Sequence, residues 1–423
     1  MYLSSTRSRF LTFLVIVIFH LPVHASELAD QLIKKYESSV FQVQLIERQS
    51  NKKSAIGSGF LIEENKVITN YHVVSSYINS PAQYSIELLS SSDEIIKASL
   101  LNFDVVNDLA VLSLPKTTAP KLKLAAQTPQ QGAEIYSIGN PHDYGMIVVP
   151  GTYNGVTAHS FYQRIHFTGS INPGMSGGPV LDKQGNIVGV NVATAGNQIG
   201  FLVPLWHLDA LLKKPILPFD KYNYQDEIER QLTASQDRLF ADLLQRDWQT
   251  TILGQSLVLA EIAPYLPCWG QSNAEQDKAM FAVSEINCIS KEQLFISNGM
   301  RTGNIEVQFS WIEKEQLNDF QFSHLLTQSF SRAGPGNSAN KKNVTNFHCY
   351  QDFSKDLSAH IHKSTFCVRN YKKYPSLYDA LYISVSANNT SGAALMSHFT
   401  LAGVSQQNAT AFLNKFMESV TWN

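Results

Sequence analysis

The most informative stretch of this 423-residue chain reads Asn172-Pro173-Gly174-Met175-Ser176-Gly177-Gly178-Pro179-Val180. Its glycines let the backbone turn tightly and let its amides approach a ligand without side-chain obstruction. If the loop curls around a carbonyl group, the Ser176 hydroxyl is placed as a nucleophile, and the N–H groups of Gly174 and Ser176 point at the charge that develops on the carbonyl oxygen. Taken alone, the segment also fits a plain glycine-rich turn.

Two residues elsewhere in the chain favour the chemical interpretation. A serine hydroxyl is a poor nucleophile at neutral pH, so it requires a base with a pKa near 7 and a group that holds this base in one tautomer. His72 comes directly after the apolar strand Val67–Thr69, and Asp108 comes directly before another apolar strand. Asp104 is the nearest competitor for the third position, but it does not directly precede that strand. The order His, Asp, Ser, each at a strand edge, predicts a catalytic triad.

Short strands dominate the sequence after an amphipathic segment at Glu27–Ser39. They are Val40–Ile46, Gly59–Ile62, Val67–Thr69, Ser85–Leu89, Ala110–Leu114, Glu134–Ile138, Met146–Val149, Arg164–Phe167, Pro179–Leu181, Ile187–Val192 and Gly200–Val203. Many short strands separated by turn residues are typical of antiparallel barrels and not of a βαβ sheet. The sequence therefore predicts a mainly β unit, which a helix at Trp206–Leu212 closes.

Six motifs carry a specific resemblance, in one order, across residues 28 to 212. They are Gly57-Ser58-Gly59-Phe60, Thr69-Asn70-Tyr71-His72-Val73-Val74, Asp108-Leu109-Ala110-Val111-Leu112, Ile138-Gly139-Asn140-Pro141, Gly174-Met175-Ser176-Gly177-Gly178-Pro179 and Ile199-Gly200-Phe201-Leu202-Val203-Pro204. With these motifs the region resembles the chymotrypsin-like (trypsin-like) serine proteases of the HtrA (Deg) type. The resemblance implies a two-barrel fold and hydrolysis of peptide bonds without a cofactor or a metal ion.

The resemblance also implies a role for each matched residue. Ser176 would be the nucleophile, His72 the general base and then the general acid, and Asp108 the group that orients the imidazole. The oxyanion hole would consist of the N–H groups of Gly174 and Ser176. Met175 stands where the family commonly has asparagine; we expect this change to leave the backbone donors in place and to make the edge of the cleft more apolar.

The specificity pocket can be partly inferred from the same resemblance. In this fold its base is the residue six before the nucleophile, which is Ser170, followed by Ile171. A trypsin-like pocket carries a carboxylate at this base, and Ser170 carries none. Val192 and Ala193 would line the opposite wall. We therefore expect a neutral pocket and cleavage after small or medium aliphatic residues.

The resemblance ends before the C-terminal half. We expect a protease domain over residues 26–214, a proline-interrupted linker over 215–224, and an α+β domain of unknown function over 225–423. The last of these begins with an amphipathic helix near Gln225 and ends with a helix from about Gln406 to Val420. Because the PDZ domain usual in HtrA-type proteases does not match this half, the oligomeric state and regulation of that family are not carried over.

Composition and charge limit the partners and the compartment. The 33 Lys and Arg residues nearly balance the 35 Asp and Glu residues, which gives a net charge of −2. This balance provides no electrostatic reason to expect a nucleic acid or an anionic membrane as the partner. Residues 1–25 are typical of a cleavable signal segment, with an apolar run too short to span a bilayer. We expect an exported protein, periplasmic or extracellular, that acts on protein or peptide substrates and has no membrane span after cleavage.

The four cysteines all lie in the C-terminal half: Cys268, Cys288, Cys349 and Cys367. An oxidising compartment favours two disulfides. Three pairings are compatible with the sequence, and pairing in sequential order is our preference. The alternative is a zinc site that would include His348, His360 and His362, although the chain has no C-x-x-C pair.

Two further alternatives concern activity. The barrels could serve as a binding scaffold in a catalytically silent pseudoprotease, or the loop at Gly174 could be collapsed so that its N–H points away from the substrate.

Overall fold

The computed structural model describes residues 24–141, 144–194, 196, 198–216, 223–276, 278–355, 360–386 and 392–422. Nearly all of the predicted signal segment, at residues 1–23, lies outside the described residues. The same is true of residues 217–222 in the predicted linker.

The first barrel is a closed sheet of six antiparallel strands in the order β1-β2-β3-β6-β5-β4. Its strands are β1 (Val40–Glu47), β2 (Lys52–Glu63), β3 (Lys66–Thr69), β4 (Tyr84–Leu89), β5 (Ile95–Asp104) and β6 (Leu109–Ser113). The barrel closes because β1 pairs with both β2 and β4. Helix α2 (Tyr71–Asn79) leaves the end of β3, and the sequence patterns had not predicted it.

The second barrel also contains six strands, which follow the order β11-β8-β9-β10-β13-β12 and close through pairing of β11 with β12. They are β8 (Glu134–Gly139), β9 (Ile147–Val156), β10 (Ile165–Thr168), β11 (Pro179–Leu181), β12 (Asn186–Thr194) and β13 (Gly200–Pro204). The short strand β7 (Lys123–Leu124) adds to β12 in parallel. The prediction of a mainly β, two-barrel chymotrypsin-like fold is therefore confirmed.

Two helices flank the barrels: α1 (His24–Tyr36) and α3 (Leu205–Leu212). Leu32 of α1 and Leu208 of α3 share a buried cluster with Val40 of the first barrel and Tyr136 of the second. This shared core fixes the two barrels against each other.

The C-terminal half is built on an antiparallel sheet of seven strands in the order β16-β17-β20-β24-β23-β22-β21. Its strands are β16 (Cys268–Ser272), β17 (Phe281–Ile289), β20 (Ile305–Lys314), β21 (His348–Lys355), β22 (Ile361–Tyr371), β23 (Tyr374–Ser386) and β24 (Ala393–Val404). Smaller sheets are formed by β14 (Gln249–Leu253), β15 (Ser256–Glu261) and β25 (Thr421–Trp422), and by the hairpin of β18 (Leu294–Ser297) and β19 (Met300–Thr302).

Disulfides join both edges of the large sheet to the adjacent strand. Cys268 on edge strand β16 is bonded to Cys288, which lies directly opposite on β17. Cys349 on edge strand β21 is bonded to Cys367, directly opposite on β22. The structure thus has the sequential pairing, and cysteines engaged in disulfides are not available as zinc ligands.

Three helices complete the α+β region: α4 (Tyr224–Gln245), α5 (Asp319–Arg332) and α6 (Gln406–Ser419). The first and last agree with the two helices predicted near Gln225 and from about Gln406. Helix α5 packs on one face of the large sheet, through Phe322 and Leu326. Helix α6 packs elsewhere on the sheet, through Phe412 and Phe416. No helix in the described part of the chain is long and apolar enough to cross a bilayer.

Helix α4 connects the C-terminal sheet to the first barrel. Its first half, including Ile228 and Leu232, is buried in one cluster with Phe103 and Val105 of the first barrel. Its second half, including Leu239 and Leu243, is buried in the core of the C-terminal sheet. The C-terminal region therefore packs on the barrel that carries His72 and Asp108.

Candidate active site

His72 and Asp108 are in direct contact through two hydrogen bonds. The Nδ1 atom of His72 lies 2.7 Å from Asp108 Oδ2. The main-chain N–H of His72 donates to the other carboxylate oxygen, Oδ1, at 2.8 Å. Because the carboxylate accepts both N–H groups, it fixes the imidazole in position and selects the tautomer with the proton on Nδ1. The Nε2 atom is then the nitrogen that can accept a proton.

Local structure explains why these two residues meet. Strand β3 ends at Thr69, and Asn70 adopts an extended conformation that starts α2, so His72 is in the first turn of the helix. The Asn70 side chain donates through Nδ2 to the main-chain carbonyl of Asp108 at 2.7 Å. Asp108 itself has a φ of +59°, a conformation that is uncommon for a residue other than glycine. Strain of this kind occurs at functional sites, where surrounding contacts maintain it.

Asp104, the competitor of Asp108 in the sequence, has a different set of partners. Its Oδ1 accepts the N–H groups of Val106 at 3.0 Å and of Asn107 at 2.9 Å. These bonds form the turn between β5 and β6. Arg164 reaches the same turn and donates to the carbonyl of Asn107 at 3.0 Å. The turn is thus stabilised by the hydrogen bonds of Asp104 within it and by the hydrogen bond from Arg164. In this conformation it places Asp108 against His72.

The carboxylate and the imidazole shift each other's pKa. Burial alone lowers the pKa of His72, but the charge and hydrogen bond of Asp108 outweigh burial and hold this pKa above its ordinary value of 6.5. The positive charges of Arg301 and Arg164 act in the lowering direction. For Asp108, burial raises the pKa, and the contact with His72 outweighs burial and holds the pKa below its ordinary value.

The loop before Ser176 contains a type II β-turn. The main-chain N–H of Met175 donates to the carbonyl of Asn172 at 3.0 Å. Pro173 occupies the second position of the turn, and Gly174 occupies the third with a φ of +98°. Proline at the second position and a positive φ at the third are the signature of type II, which glycine adopts without steric cost. The turn sets the direction of the Gly174 N–H.

Hydrogen bonding in this loop leaves two main-chain donors free. Besides Met175, Gly177 donates to Asn191 at 2.9 Å and Gly178 donates to Met175 at 3.0 Å. Within the described ranges, the N–H groups of Gly174 and Ser176 donate to no other residue. These are the two donors that the sequence predicted for an oxyanion hole.

Ser58 on β2 attaches the loop to the first barrel. Its N–H donates to the carbonyl of Ser176 at 2.7 Å, and its hydroxyl donates to the carbonyl of Gly174 at 2.7 Å. Ser58 is fully buried. A Cβ atom on Gly177, which has a φ of +84°, would lie 2.8 Å from the main-chain nitrogen of Asn70. The serine loop therefore packs directly on the segment that leads into His72.

Among the described residues, no hydrogen bond joins the side chains of Ser176 and His72. Among the described residues the Ser176 hydroxyl has no hydrogen-bond partner. Catalytic hydrogen bonds are often long in the absence of substrate and tighten in the complex, so a structure without this bond is compatible with proton transfer once substrate binds. His72 keeps 28% of its side chain exposed, which leaves the imidazole open to a ligand.

The predicted pocket residues fall into two groups. Ser170 and Ala193 are exposed. Ile171 is buried in the core of the second barrel, and Val192 is buried in the cluster shared by both barrels. Met175 is also fully buried in the core of the second barrel. The expectation that Met175 would make the cleft edge more apolar is therefore wrong, because its side chain fills the core instead.

A C-terminal element reaches this site, and the sequence analysis missed it. The hairpin of β18 and β19 packs on α2, and the ring of Phe295 lies 6.0 Å from the ring of His72 in an edge-to-face arrangement. The hydroxyl of Tyr71 donates to the carbonyl of Ile296 at 2.8 Å. Asn298-Gly299, with Phe295-Ile296 shortly before it and Met300 directly after it, is a strong hairpin signal. That signal could have revealed the hairpin, although not its position.

Comparisons with known proteins agree with this fold. Residues 57–190 match the trypsin-like peptidase domain. Protease Do-like 1, chloroplastic, of Arabidopsis thaliana is 28% identical over 169 residues, which cover 35% of this chain and 36% of the relative. A probable periplasmic serine endoprotease, DegP-like, of Pseudomonas fluorescens is 30% identical over 162 residues, covering 37% of this chain and 33% of the relative.

A solved structure, the serine endoprotease from Yersinia pestis, is 25% identical with a TM-score of 0.39, and the match covers 44% of this chain and 65% of that one. The chain spans between about a third and about a half of the length of the first curated relatives it matches.

The two barrels and the family match define a chymotrypsin-like domain of the serine endopeptidase class. Within that class, the protease region is similar to serine proteases of the HtrA type.

Proposed function

We propose that this chain is an exported serine endopeptidase in which Ser176, His72 and Asp108 form the catalytic triad. The observation that carries the proposal is the paired contact of Asp108 with His72, through Nδ1 and the main-chain N–H. A carboxylate in this position prepares the imidazole to accept a proton at Nε2. The type II turn, which leaves the N–H groups of Gly174 and Ser176 free, supports the competent conformation over the collapsed one.

The proposed reaction begins with acylation. The Ser176 hydroxyl attacks the carbonyl carbon of the scissile bond, and His72 accepts the hydroxyl proton at Nε2. The negative charge on the carbonyl oxygen is stabilised by the N–H groups of Gly174 and Ser176. When the C–N bond breaks, His72 gives its proton to the departing amine. Asp108 stays ionised and stabilises the imidazolium while it exists.

Water completes the cycle. His72, now neutral again, takes a proton from a water molecule that attacks the ester of Ser176. The second tetrahedral intermediate collapses as His72 returns its proton to Ser176, and the product leaves as a carboxylic acid, which ionises in the solvent. Every proton that moves in the two half-reactions passes through Nε2, so no cofactor is required.

The proposed specificity is for small or medium aliphatic residues before the scissile bond. Ser170, Ile171, Val192 and Ala193 are neutral, and no one of them could pair with a substrate lysine or arginine. Peptides with valine or alanine directly before the scissile bond should therefore be cleaved faster than peptides with arginine at that position. A preference for arginine would contradict the assignment of this pocket.

Three observations support an extracytoplasmic location. Residues 1–25 have the composition of a signal segment. The two disulfides are typical of oxidising compartments. Some relatives are named as probable periplasmic endoproteases. We accordingly propose that residues 1–25 are a signal segment. We further propose that the protease domain spans residues 26–214, that residues 215–224 form a linker, and that the C-terminal region begins at residue 225.

The proposal is tested by turnover of a denatured protein substrate and of aliphatic peptides by the full chain, beside the Ser176→Ala variant. Loss of the nucleophile should reduce kcat by roughly 10⁴- to 10⁶-fold. Ser113→Ala is a matched control, because Ser113 is a serine of the first barrel whose hydroxyl, among the residues that the structure describes, bonds only the carbonyl of Ser99. Equal turnover by the intact chain and Ser176→Ala would favour the pseudoprotease.

A further inference from the structure

The hairpin β18–β19 has one buried face and one face toward the catalytic histidine. Leu294, Ile296 and Met300 are buried in one cluster with α2. Phe295 and Arg301 are cross-strand partners. Because successive residues of a strand point to opposite faces, this pair lies on the other face of the hairpin from Leu294. Phe295 is partly buried and packs against the edge of the cluster, whereas Arg301 is exposed. The Phe295 ring is 6.0 Å from the His72 ring, and the Arg301 guanidinium is 5.9 Å from the Phe295 ring.

Several contacts hold the hairpin in this position. The carbonyl of Ile296 accepts the hydroxyl of Tyr71 at 2.8 Å. The hydroxyls of Thr302 and Tyr371 are 2.9 Å apart. Gly299 adopts a φ of +78° in the turn of the hairpin. Phe295 and Arg301 are thus presented to His72 by an ordered element, fixed at both strands.

Arg301 differs from the other charged groups around His72. Asp108 is engaged with His72 itself, and Arg164 donates to main-chain carbonyls of the turn at Asn107. Arg301 is exposed, and within the described ranges its side chain forms no hydrogen bond or ion pair. It also lines a cavity of about 400 Å³, together with Gln293 and Asn337. The guanidinium therefore has its donors available to a ligand, and Phe295 lies between it and an imidazole that is 28% exposed.

We propose that the hairpin forms one wall of the substrate cleft, where Arg301 binds an acidic side chain within two residues of the scissile bond. The guanidinium would pair with the carboxylate of a substrate aspartate or glutamate through two parallel hydrogen bonds. Phe295 supports the guanidinium by a cation–π contact and offers an apolar surface to the stem of the substrate side chain. This inference rests on the proposed function, since it concerns the substrate of the same site.

The test uses the full chain and quenched peptides with an aliphatic residue before the scissile bond. Glutamate, glutamine or lysine is placed in turn at the second residue before the scissile bond and at the first and second residues after it. At one or more positions, kcat/KM should be about threefold higher for glutamate than for glutamine, which is the size expected for an exposed ion pair. Arg301→Gln should abolish this preference, Arg301→Lys should retain part of it, and Arg301→Glu should invert it toward lysine.

Arg332→Gln is the matched control, because Arg332 is an exposed arginine at the end of α5 that is not among the charges acting on His72. It should keep the preference for glutamate. A preference unchanged in Arg301→Gln and Arg301→Glu would overturn the inference. So would the lack of any preference in an intact chain that cleaves neutral peptides.

The pH profile separates this role from a structural one. The charge of Arg301 lowers the pKa of His72, so Arg301→Gln should move the acid limb of kcat/KM to higher pH, whereas Arg332→Gln should not. An acid limb unmoved in Arg301→Gln would count against contact between the guanidinium and the site. If the intact chain cleaves no peptide and Ser176 is unreactive, the proposed function has failed; if it cleaves without charge preference, only the further inference has failed.

Discussion

The hydroxyl of Tyr71 donates a hydrogen bond to the carbonyl of Ile296, 225 residues further along the chain. Tyr71 is fully buried and immediately precedes His72. Through this one bond, the helix that carries the proposed catalytic base is tied to the C-terminal hairpin. The C-terminal region therefore supports the helix that carries His72 and is more than an appended unit.

Tyr71→Phe should destabilise the chain and loosen this support. The carbonyl of Ile296 would keep only a long bond from Asn79, at 3.4 Å. Leaving a buried acceptor short of its partner costs about 1–3 kcal/mol. The free energy of unfolding from urea titration should fall by about that amount. Tyr77→Phe on the same helix is the control, because its hydroxyl forms no hydrogen bond among the described residues; an equal loss in both variants would contradict the account.

The pH dependence of kcat/KM should report the ion pair of His72 and Asp108. His72 must be neutral to act as a base, and its pKa is raised above 6.5. The value of kcat/KM should accordingly fall on the acid side with an apparent pKa above 6.5. At higher pH it should stay at its maximum until another group titrates. In Asp108→Asn, the carboxylate no longer counteracts the lowering of the His72 pKa by burial, so the acid limb should move to lower pH. The value of kcat should fall about 10⁴-fold. An acid limb below 6.5 in the intact chain would contradict the coupling.

Ser58→Ala should impair the chemical step, because Ser58 fixes the oxyanion loop. Its hydroxyl donates to the carbonyl of Gly174 and accepts the N–H of Asn140 at 3.0 Å. Losing an oxyanion donor outright costs roughly 10²- to 10³-fold in kcat. Loosening the loop should cost less, about ten- to a hundredfold, with a smaller change in KM. The measurement is steady-state kinetics beside Ser113→Ala, and an unchanged kcat would show that the loop does not need this anchor.

The disulfides should stabilise the edges of the C-terminal sheet. Each closes a short loop, with sequence separations of 20 and 18. Loops of this size correspond to about 3 kcal/mol in the chain-entropy description. The double variant Cys268→Ala with Cys288→Ala should lose about 2–4 kcal/mol of unfolding free energy. Peptide mapping without reduction should join Cys268 to Cys288 and Cys349 to Cys367; any crossed pair would refute the pairing.

The barrel fold and the meeting of His72 with Asp108 could be predicted because both depend on local patterns. Short strands with turns define the barrels, and each residue is at the end of its own strand. The type II turn is equally local, since Pro173-Gly174 sets it. These features require only neighbours in sequence or in the adjacent strand.

The contribution of the hairpin could not be predicted in the same way. Asn298-Gly299 indicates a turn, but nothing in the local pattern states that Phe295 will lie against His72. That contact depends on how α4 and the C-terminal sheet pack on the first barrel. This packing is determined by buried residues in both halves of the chain. The burial of Met175 was missed for a related reason, since a loop sequence alone does not show which side chains turn inward.

The most direct test of the central claim is the site of covalent labelling by a fluorophosphonate. After reaction of the full-length chain, digestion and mass spectrometry should locate one phosphonylated residue, in the peptide that contains Ser176. The Ser176→Ala variant should remain unlabelled under the same conditions, and His72→Ala should react far more slowly. Labelling at a different serine, or none in a folded chain that retains both disulfides, would contradict the assignment of Ser176 as the nucleophile.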